Sequence, residues 1–129
     1  MSNSAIPGIA RHMFPPHPTS ARAARQFVAG ELAGRSSDEA RDTACLLTSE
    51  LVTNAVIHAR TDVEVSVRRS NGRLRIEVSD HTSRRPTLMS IPADSTTGRG
   101  LLLVEVMSAT WGIDDDNSGK LVWFELAAR

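Results

Sequence analysis

The hydrophobic pattern of the chain changes from helical spacing to strict alternation. Apolar residues recur at helical spacing over residues 21–29 and again from about residue 38 to residue 59, after a capping-box pattern at residues 36–39. Valines then alternate with polar residues from Val63, and a second alternating run follows. The Asn-Gly pair at residues 71–72, between the two runs, is typical of a two-residue turn. The pattern predicts two helices followed by an antiparallel hairpin.

The second half of the chain contains a loop, a third helix and a last hairpin. Residues 81–97 show no sustained periodicity and include two prolines, which predicts an irregular loop. An apolar helix is predicted over residues 101–107. Two strands are predicted over residues 109–113 and 121–126, around a polar turn. The two tryptophans of this hairpin, Trp111 and Trp123, are expected in the core or at a sheet edge.

The order of these elements predicts the architecture. Residues 1–18 hold four of the six prolines, a composition that favours an extended arm with one edge strand around residues 11–14. Residues 19–129 are then expected to form a single domain. Helix, helix, hairpin, loop, helix and hairpin form an α+β order. It is best built as a two-layer α/β sandwich, in which a mostly antiparallel mixed sheet carries its helices on one face.

Composition and charge narrow the functional classes. Fifteen Lys and Arg residues balance fifteen Asp and Glu residues, so no net field attracts nucleic acid or an anionic membrane. The single cysteine, Cys45, cannot form an internal disulfide. No apolar run approaches the ~18 residues that a membrane span needs. We therefore expect a cytoplasmic protein without direct nucleic-acid or membrane contacts.

The second predicted helix carries an unusual polar pair. Glu50 and Asn54 are four residues apart, so they project from one side of a helix whose other positions are mostly apolar. A carboxamide oxygen is a suitable ligand for Mg²⁺, and a carboxylate can accept a proton from a water or hydroxyl. The alternative is a solvated helix face, on which the same spacing also occurs.

Two later segments can also contact a charged ligand. Asp80 stands at the end of a predicted strand, where its carboxylate can accept a hydrogen bond from an exocyclic amine; a strand-terminating turn residue is the alternative. Gly98, Arg99 and Gly100 directly precede the predicted third helix, whose free N–H groups and dipole favour phosphate. Two glycines before a helix are otherwise a common feature of loops.

Taken in order along the chain, these features resemble the ATP-binding module of the GHKL superfamily, known as the Bergerat fold. Within that superfamily, the chain is similar to the single-domain serine/threonine protein kinases of the anti-sigma-factor type found in actinobacteria. The resemblance covers roughly residues 19–126. It is most specific in the segments 49–59, 98–104, 111–112 and 119–126.

The resemblance implies a site for ATP and Mg²⁺. Glu50 would be the catalytic base, Asn54 the Mg²⁺ ligand and Asp80 the partner of the adenine amine. The phosphates would be held by four residues at the start of the third helix, namely Gly98, Arg99, Gly100 and Leu101. The preceding loop would form a lid above them, and Arg84 or Arg85 could add positive charge.

The resemblance also implies partners. Such a kinase would phosphorylate a serine of a small STAS-type anti-sigma-factor antagonist. Phosphorylation switches the kinase between holding the antagonist and holding a sigma factor, which regulates transcription. Family members suggest a homodimer. The sequence does not identify the sigma factor, the antagonist or the upstream signal.

The chain departs from the family pattern at the adenine site. Relatives usually have Asp-x-Gly-x-Gly there, whereas residues 80–84 of this chain are Asp-His-Thr-Ser-Arg. Lys120 and Leu121 also stand where threonine is common. The alternative function is therefore a non-catalytic module that sequesters partners with weak or no ATP binding. A detached histidine-kinase catalytic domain is disfavoured, because the sequence shows no dimerisation hairpin or phosphoacceptor helix.

Overall fold

In the part of the chain that the structure describes, an antiparallel sheet of five strands forms one layer of the fold, and three helices form the other. The computed structural model describes residues 8–81, 96–116 and 119–129, with the side chains of residues 96–99 and 116 left out. In chain order the elements are β1 (Ile9–Phe14), α1 (Ser20–Leu32), α2 (Asp38–His58), β2 (Val63–Ser70), β3 (Arg73–Ser79), α3 (Thr96–Met107), β4 (Thr110–Asp116) and β5 (Gly119–Ala127).

The strand order is β1-β2-β3-β5-β4, and each of these four pairings is antiparallel. The turn between β2 and β3 has Asn71 at φ 53° and Gly72 at φ 77°. Two consecutive positive φ values are the signature of the type I′ turn, whose twist matches that of the flanking strands. The predicted hairpin is therefore confirmed, and the predicted edge strand is β1, which pairs with β2 along its whole length.

The core lies between the helices and one face of the sheet. Alternate strand residues such as Val65, Ile76 and Phe124 are fully buried there, against Leu32 of α1 and Leu47 of α2. This face is called the inner face below, and the opposite face is called the outer face. The predicted α+β sandwich with helices on one side is confirmed. No helix in the described ranges has the length and apolarity that crossing a membrane requires.

The start of α2 is fixed by a side-chain cap. Ser37 has an extended backbone, and its hydroxyl accepts a hydrogen bond from the backbone N–H of Ala40 at 3.1 Å. Asp38 and Glu39 occupy the first turn, where their charges are favourable to the helix dipole. The capping residue is thus the second serine of the predicted pattern, so the backbone N–H of Ala40 rather than that of Glu39 donates to the cap.

The start of α3 differs from the prediction. The helix begins at Thr96, so the glycines at 98 and 100 lie in its first turns instead of preceding it. Threonine and glycine are weak helix formers, and the apolar periodicity becomes visible only at Leu101. The last hairpin is also longer than predicted, because polar residues 114–116 still belong to β4. Most of the predicted loop, residues 82–95, lies outside the described residues.

Candidate functional site

Glu50 and Asn54 lie on the side of α2 that meets α3. Asn54 is 5% exposed, and Glu50 is half-buried. Helical spacing sets the two side chains one turn apart, and the apolar residues around them hold α2 against the sheet. The predicted oxygen-rich pair is therefore located at a helix interface instead of on a freely solvated face.

Gly100 of α3 packs directly on this pair. A Cβ placed on Gly100 would be 2.6 Å from Nδ2 of Asn54 and 3.5 Å from Cβ of Glu50. Both distances involve α2, and the first is shorter than a side chain tolerates. The absence of a side chain at residue 100 is thus what lets the backbone of α3 approach the carboxamide of Asn54. The structure brings these three predicted site residues together.

The remaining phosphate-site candidates are only partly described. Gly98 and Arg99 belong to the first turn of α3, but the positions of their side chains lie outside the described residues, as do Arg84 and Arg85. Leu101 is half-buried and packs against the hydrophobic core. The first turn of a helix presents backbone N–H groups that have no partner within the helix, a feature suited to phosphate oxygens.

Asp80 directly follows β3, on the inner face. It continues the alternation of the buried residues Ile76 and Val78 and is itself 5% exposed. Its backbone N–H donates to the carbonyl of Lys120 at 2.9 Å, and its Oδ1 accepts from the N–H of Lys120 at 3.3 Å. Asp80 therefore extends the β3–β5 ladder by one residue, and one of its carboxylate oxygens is engaged in doing so.

Gly119 allows this extension of the ladder. It has φ +154°, and a Cβ there would collide with the carbonyl oxygen of Asp80. The space next to Asp80 is a pocket of about 250 Å³. Its described lining residues are Ser79, Asp80, His81, Asp114, Asp115, Gly119, Lys120 and Leu121, none of which belongs to α2 or α3. This pocket and the Glu50–Asn54–Gly100 group are thus separate features of the described structure.

Three further residues lie away from that group. His58 is exposed in the last turn of α2, where a basic side chain complements the helix dipole. Trp111 is half-buried and packs against the core, as expected. Trp123 lies on the outer face of an interior strand, so its expected place in the core or at a sheet edge is wrong.

The outer face holds a polar network that the sequence reasoning missed. The guanidinium of Arg75 stacks on the ring of Trp123, 4.2 Å from the ring centroid. The same guanidinium pairs with Glu77 at 2.8 Å and with Glu125 at 3.3 Å. Burial lowers the pKa of Arg75, but the hydrogen bonds and the negative charges of the two glutamates together outweigh it and raise this pKa above its usual value. The alternation of charged and apolar residues in β3 is the signal that would have placed Arg75 on this face.

The chemistry of the described donor atoms is compatible with a magnesium nucleotide. Within the described ranges, no group of three or more His, Cys, Asp and Glu side chains could enclose a metal ion. Mg²⁺ does not need such an enclosure, because in nucleotide sites it is bound by one or two protein oxygens and by the phosphates. Asn54 supplies a suitable oxygen, and Gly100 leaves the backbone beside it uncovered by a side chain.

Comparison with known proteins decides the family. The family model of the histidine kinase-like ATPase domain matches residues 14–126, which is most of the chain. The chain belongs to this family. The match includes Glu50, Asn54, Asp80 and Gly100, so the histidine kinase-like ATPase domain contains all the elements described above except the greater part of β1.

A solved structure agrees with this assignment at the level of the fold. The crystal structure of the RsbU and RsbW domains of Rv1364c from Mycobacterium tuberculosis superposes with a TM-score of 0.70 at 16% sequence identity. The match covers 92% of this chain and 31% of the other chain, so this ATPase domain corresponds to less than a third of that protein's crystallised length. Among curated proteins no match was found.

Proposed function

We propose that this histidine kinase-like ATPase domain is a serine/threonine protein kinase of the anti-sigma-factor type. It would bind ATP with Mg²⁺ and phosphorylate a small STAS-type antagonist. The observation that carries the proposal is the contact of Gly100 with Asn54 beside Glu50, because it joins an oxygen ligand, a carboxylate and a helix start in one place. The likeness in fold to a structure that includes an RsbW domain also supports the proposal.

The chain's own residues have distinct tasks in this proposal. Asn54 would supply its carboxamide oxygen to the metal, and the helix α2 would fix the position of that oxygen. Glu50, one turn earlier, accepts the proton of the attacking serine hydroxyl. The first turn of α3, at Gly98 and Arg99, would hold phosphate oxygens, and Gly100 leaves the backbone beside Asn54 uncovered by a side chain. When bound, Mg²⁺ would neutralise phosphate charge. Phosphoryl transfer depends mainly on such charge stabilisation and on positioning, and little on covalent participation of the protein.

Asp80 is proposed as the partner of the adenine amine. It lies on the inner face, the side of the sheet on which α2 and α3 also pack, and its burial would strengthen a hydrogen bond to the base.

A second candidate function is a non-catalytic module that sequesters partner proteins. The observation that favours it is the hydrogen bond from the backbone N–H of Lys120 to Asp80, which is a structural task. The glycines that follow this aspartate in relatives are absent here. In this alternative, the domain keeps its fold and its partner surface, and ATP binds weakly or not at all.

Equilibrium binding of ATP, with and without Mg²⁺, tests the shared premise. We expect Mg²⁺ to tighten binding in the native protein and to have no effect in Asn54→Ala. Glu105→Ala is the control, because Glu105 is an exposed glutamate on α3 without a proposed role. Absence of measurable affinity at millimolar ATP would refute the kinase proposal.

A transfer assay distinguishes the kinase from the binding module. The protein is incubated with γ-labelled ATP and purified STAS-type antagonists, and labelled phosphoserine is measured. Loss of a general base reduces the rate by about 10²–10⁴-fold, which is the effect expected of Glu50→Ala. Glu105→Ala should transfer at the native rate. Tight complexes that form without any transfer would support the non-catalytic module.

A further inference from the structure

No helix of the described residues covers the outer face of the sheet, and the charges of this face are separated along the strands. Arg68, Arg73 and Arg75 lie toward the β2–β3 turn. Glu64 and Asp114 lie toward the opposite ends of their strands, on the row of residues that contains Ser79 and Leu121. One end of this face is therefore basic and the other acidic, although the chain as a whole is neutral.

The basic end contains a pocket. Its volume is about 360 Å³, and its lining residues are Arg68, Ser70, Asn71, Arg73, Arg75 and Glu125. We call this feature the hairpin pocket. Three arginines and one glutamate leave the lining with an excess of positive charge. A volume of this size is in the range of small-ligand sites, which extends from about 300 to 1,000 Å³.

The arginines of the hairpin pocket are unequally neutralised. Arg68 lies directly opposite Arg75 in the β2–β3 register, an arrangement of like charges that costs stability. Arg75 is compensated by Glu77 and Glu125. The side chain of Arg68 is exposed and forms no ion pair or hydrogen bond with any residue that the structure describes.

The ion pair of Arg73 is also weak. It reaches Glu125 at 3.4 Å, and its side chain remains 58% exposed. Glu125 already accepts hydrogen bonds from Arg75 and from the hydroxyl of Thr110, so its charge is shared among three donors. The exposed guanidinium groups of Arg68 and Arg73 are therefore the part of the pocket that remains available to an anionic partner.

An aromatic ring adjoins Arg75, the third arginine of the hairpin pocket. Arg75 lies on one side of the Trp123 ring, and the ring crosses over Gly112 of β4. Tryptophan and arginine are the residue types that contribute most often to binding hot spots between proteins. The hairpin pocket thus combines unsatisfied positive charge with a fixed aromatic neighbour.

We propose that the hairpin pocket and Trp123 form a docking surface for an acidic segment of a partner protein. Carboxylates of the segment pair with Arg68 and Arg73, and its apolar side chains contact Trp123. An extended polyanion such as RNA suits the face less well, because Glu64 and Asp114 would repel its phosphates at the other end. The surface is independent of the ATP site and of the proposed kinase reaction.

Binding of hexaglutamate, followed by nuclear magnetic resonance, tests the proposal. The indole N–H of Trp123 is the reporter, and Trp111→Phe identifies its signal. We expect hexaglutamate to shift this signal and an uncharged Gly-Ser peptide of equal length to leave it unchanged. In Arg68→Glu/Arg73→Glu the affinity should fall about tenfold or more, as expected for the loss of two charge pairs and their replacement by repulsion.

A charge-matched control separates the site from net charge. Arg22 and Arg25 are exposed on α1, in the other layer, so Arg22→Glu/Arg25→Glu changes the net charge equally and should preserve binding. If the glutamate pair at 68 and 73 disturbs folding, Arg68→Gln/Arg73→Gln replaces it, with a smaller loss expected.

Four results would overturn the proposal. The Trp123 signal could fail to shift with hexaglutamate, or both pairs of glutamate substitutions could weaken peptide binding equally. An oligouridylate could bind this surface more tightly than hexaglutamate does, or the Trp123 signal could shift with protein concentration when no peptide is present. The last result would assign the face to a second copy of this chain.

Discussion

Gly100 on α3 and Asn54 on α2 are in direct contact, and a Cβ on residue 100 would lie 2.6 Å from the carboxamide nitrogen. The contact joins a helix interface to the proposed metal ligand. Stability and nucleotide binding are therefore expected to depend on the same glycine.

Gly100→Ala should lower both the free energy of unfolding and the affinity for ATP. Relief of the collision with the buried carboxamide of Asn54 costs about 1–3 kcal/mol, more than the gain of about 0.5–1 kcal/mol that alanine brings to a helix. Gly30→Ala is the matched control, because Gly30 is an exposed helical glycine with no atom near a new Cβ, and alanine should stabilise α1 by about 0.5–1 kcal/mol. Denaturant unfolding measures the free energy of unfolding of both variants, and equilibrium binding measures their affinity for ATP. Gly100→Ala at or above native stability would contradict the interpretation of this contact.

Thr48→Val should stabilise the protein. The Thr48 hydroxyl is fully buried and has no hydrogen-bond partner among the described residues. Replacement by a methyl group of similar size removes a desolvation cost, with an expected gain of about 1 kcal/mol. In Thr53→Val, the control on the same helix, a bond from Oγ1 to the Ser49 carbonyl at 2.7 Å is lost, so no gain is expected. Equal effects of the two substitutions would refute this account.

Local patterns allowed much of the fold to be predicted. The alternation from Val63 and the Asn-Gly pair at residues 71–72 predicted β2, β3 and their turn, because neighbouring residues determine both features. The beginning of α3 could not be found this way. Its first residues, from Thr96, are poor helix formers without an apolar period, so the pattern predicted a start at Leu101.

The candidate site was predictable only in part, for the same reason. Helical spacing places Glu50 and Asn54 on one side of α2, but the contact with Gly100 depends on how two helices pack. The alternation in β3 could have placed Arg75 on the outer face, but its pairing with Glu125 could not be predicted, since the two residues are 50 positions apart in the chain. Family resemblance supplied what spacing could not, by relating separate segments to one nucleotide site.

Gly112→Ala should displace the Trp123 ring. A Cβ at residue 112 would lie 2.7 Å from the ring carbon Cζ2, so either the ring or β4 must shift. We expect a loss of about 1–3 kcal/mol in the free energy of unfolding and altered tryptophan fluorescence, recorded in a Trp111→Phe background. A double-mutant cycle with Trp123→Leu isolates the pair, with a coupling energy of about 0.5–3 kcal/mol. Additive effects would show that the two residues do not interact.

Glu125→Gln should destabilise the protein at neutral pH and much less in acid. The hydrogen bond from Thr110, and then those from Arg75, lower the pKa of Glu125 below its usual 4.5, despite an opposing effect of burial. Because the unfolded chain takes up this proton at a higher pH than the folded protein does, the stabilisation by Glu125 is present above pH 4.5 and is lost as the pH falls through the folded pKa.

Urea unfolding of the native protein and of Glu125→Gln, at neutral pH and at several values below 4.5, measures this difference. The difference in free energy of unfolding should shrink on acidification. Glu105 is exposed on α3, so Glu105→Gln controls for the removal of one negative charge. The difference in free energy of unfolding between the native protein and Glu125→Gln could instead stay constant across the pH series. That result would mean that the negative charge of Glu125 does not stabilise the fold.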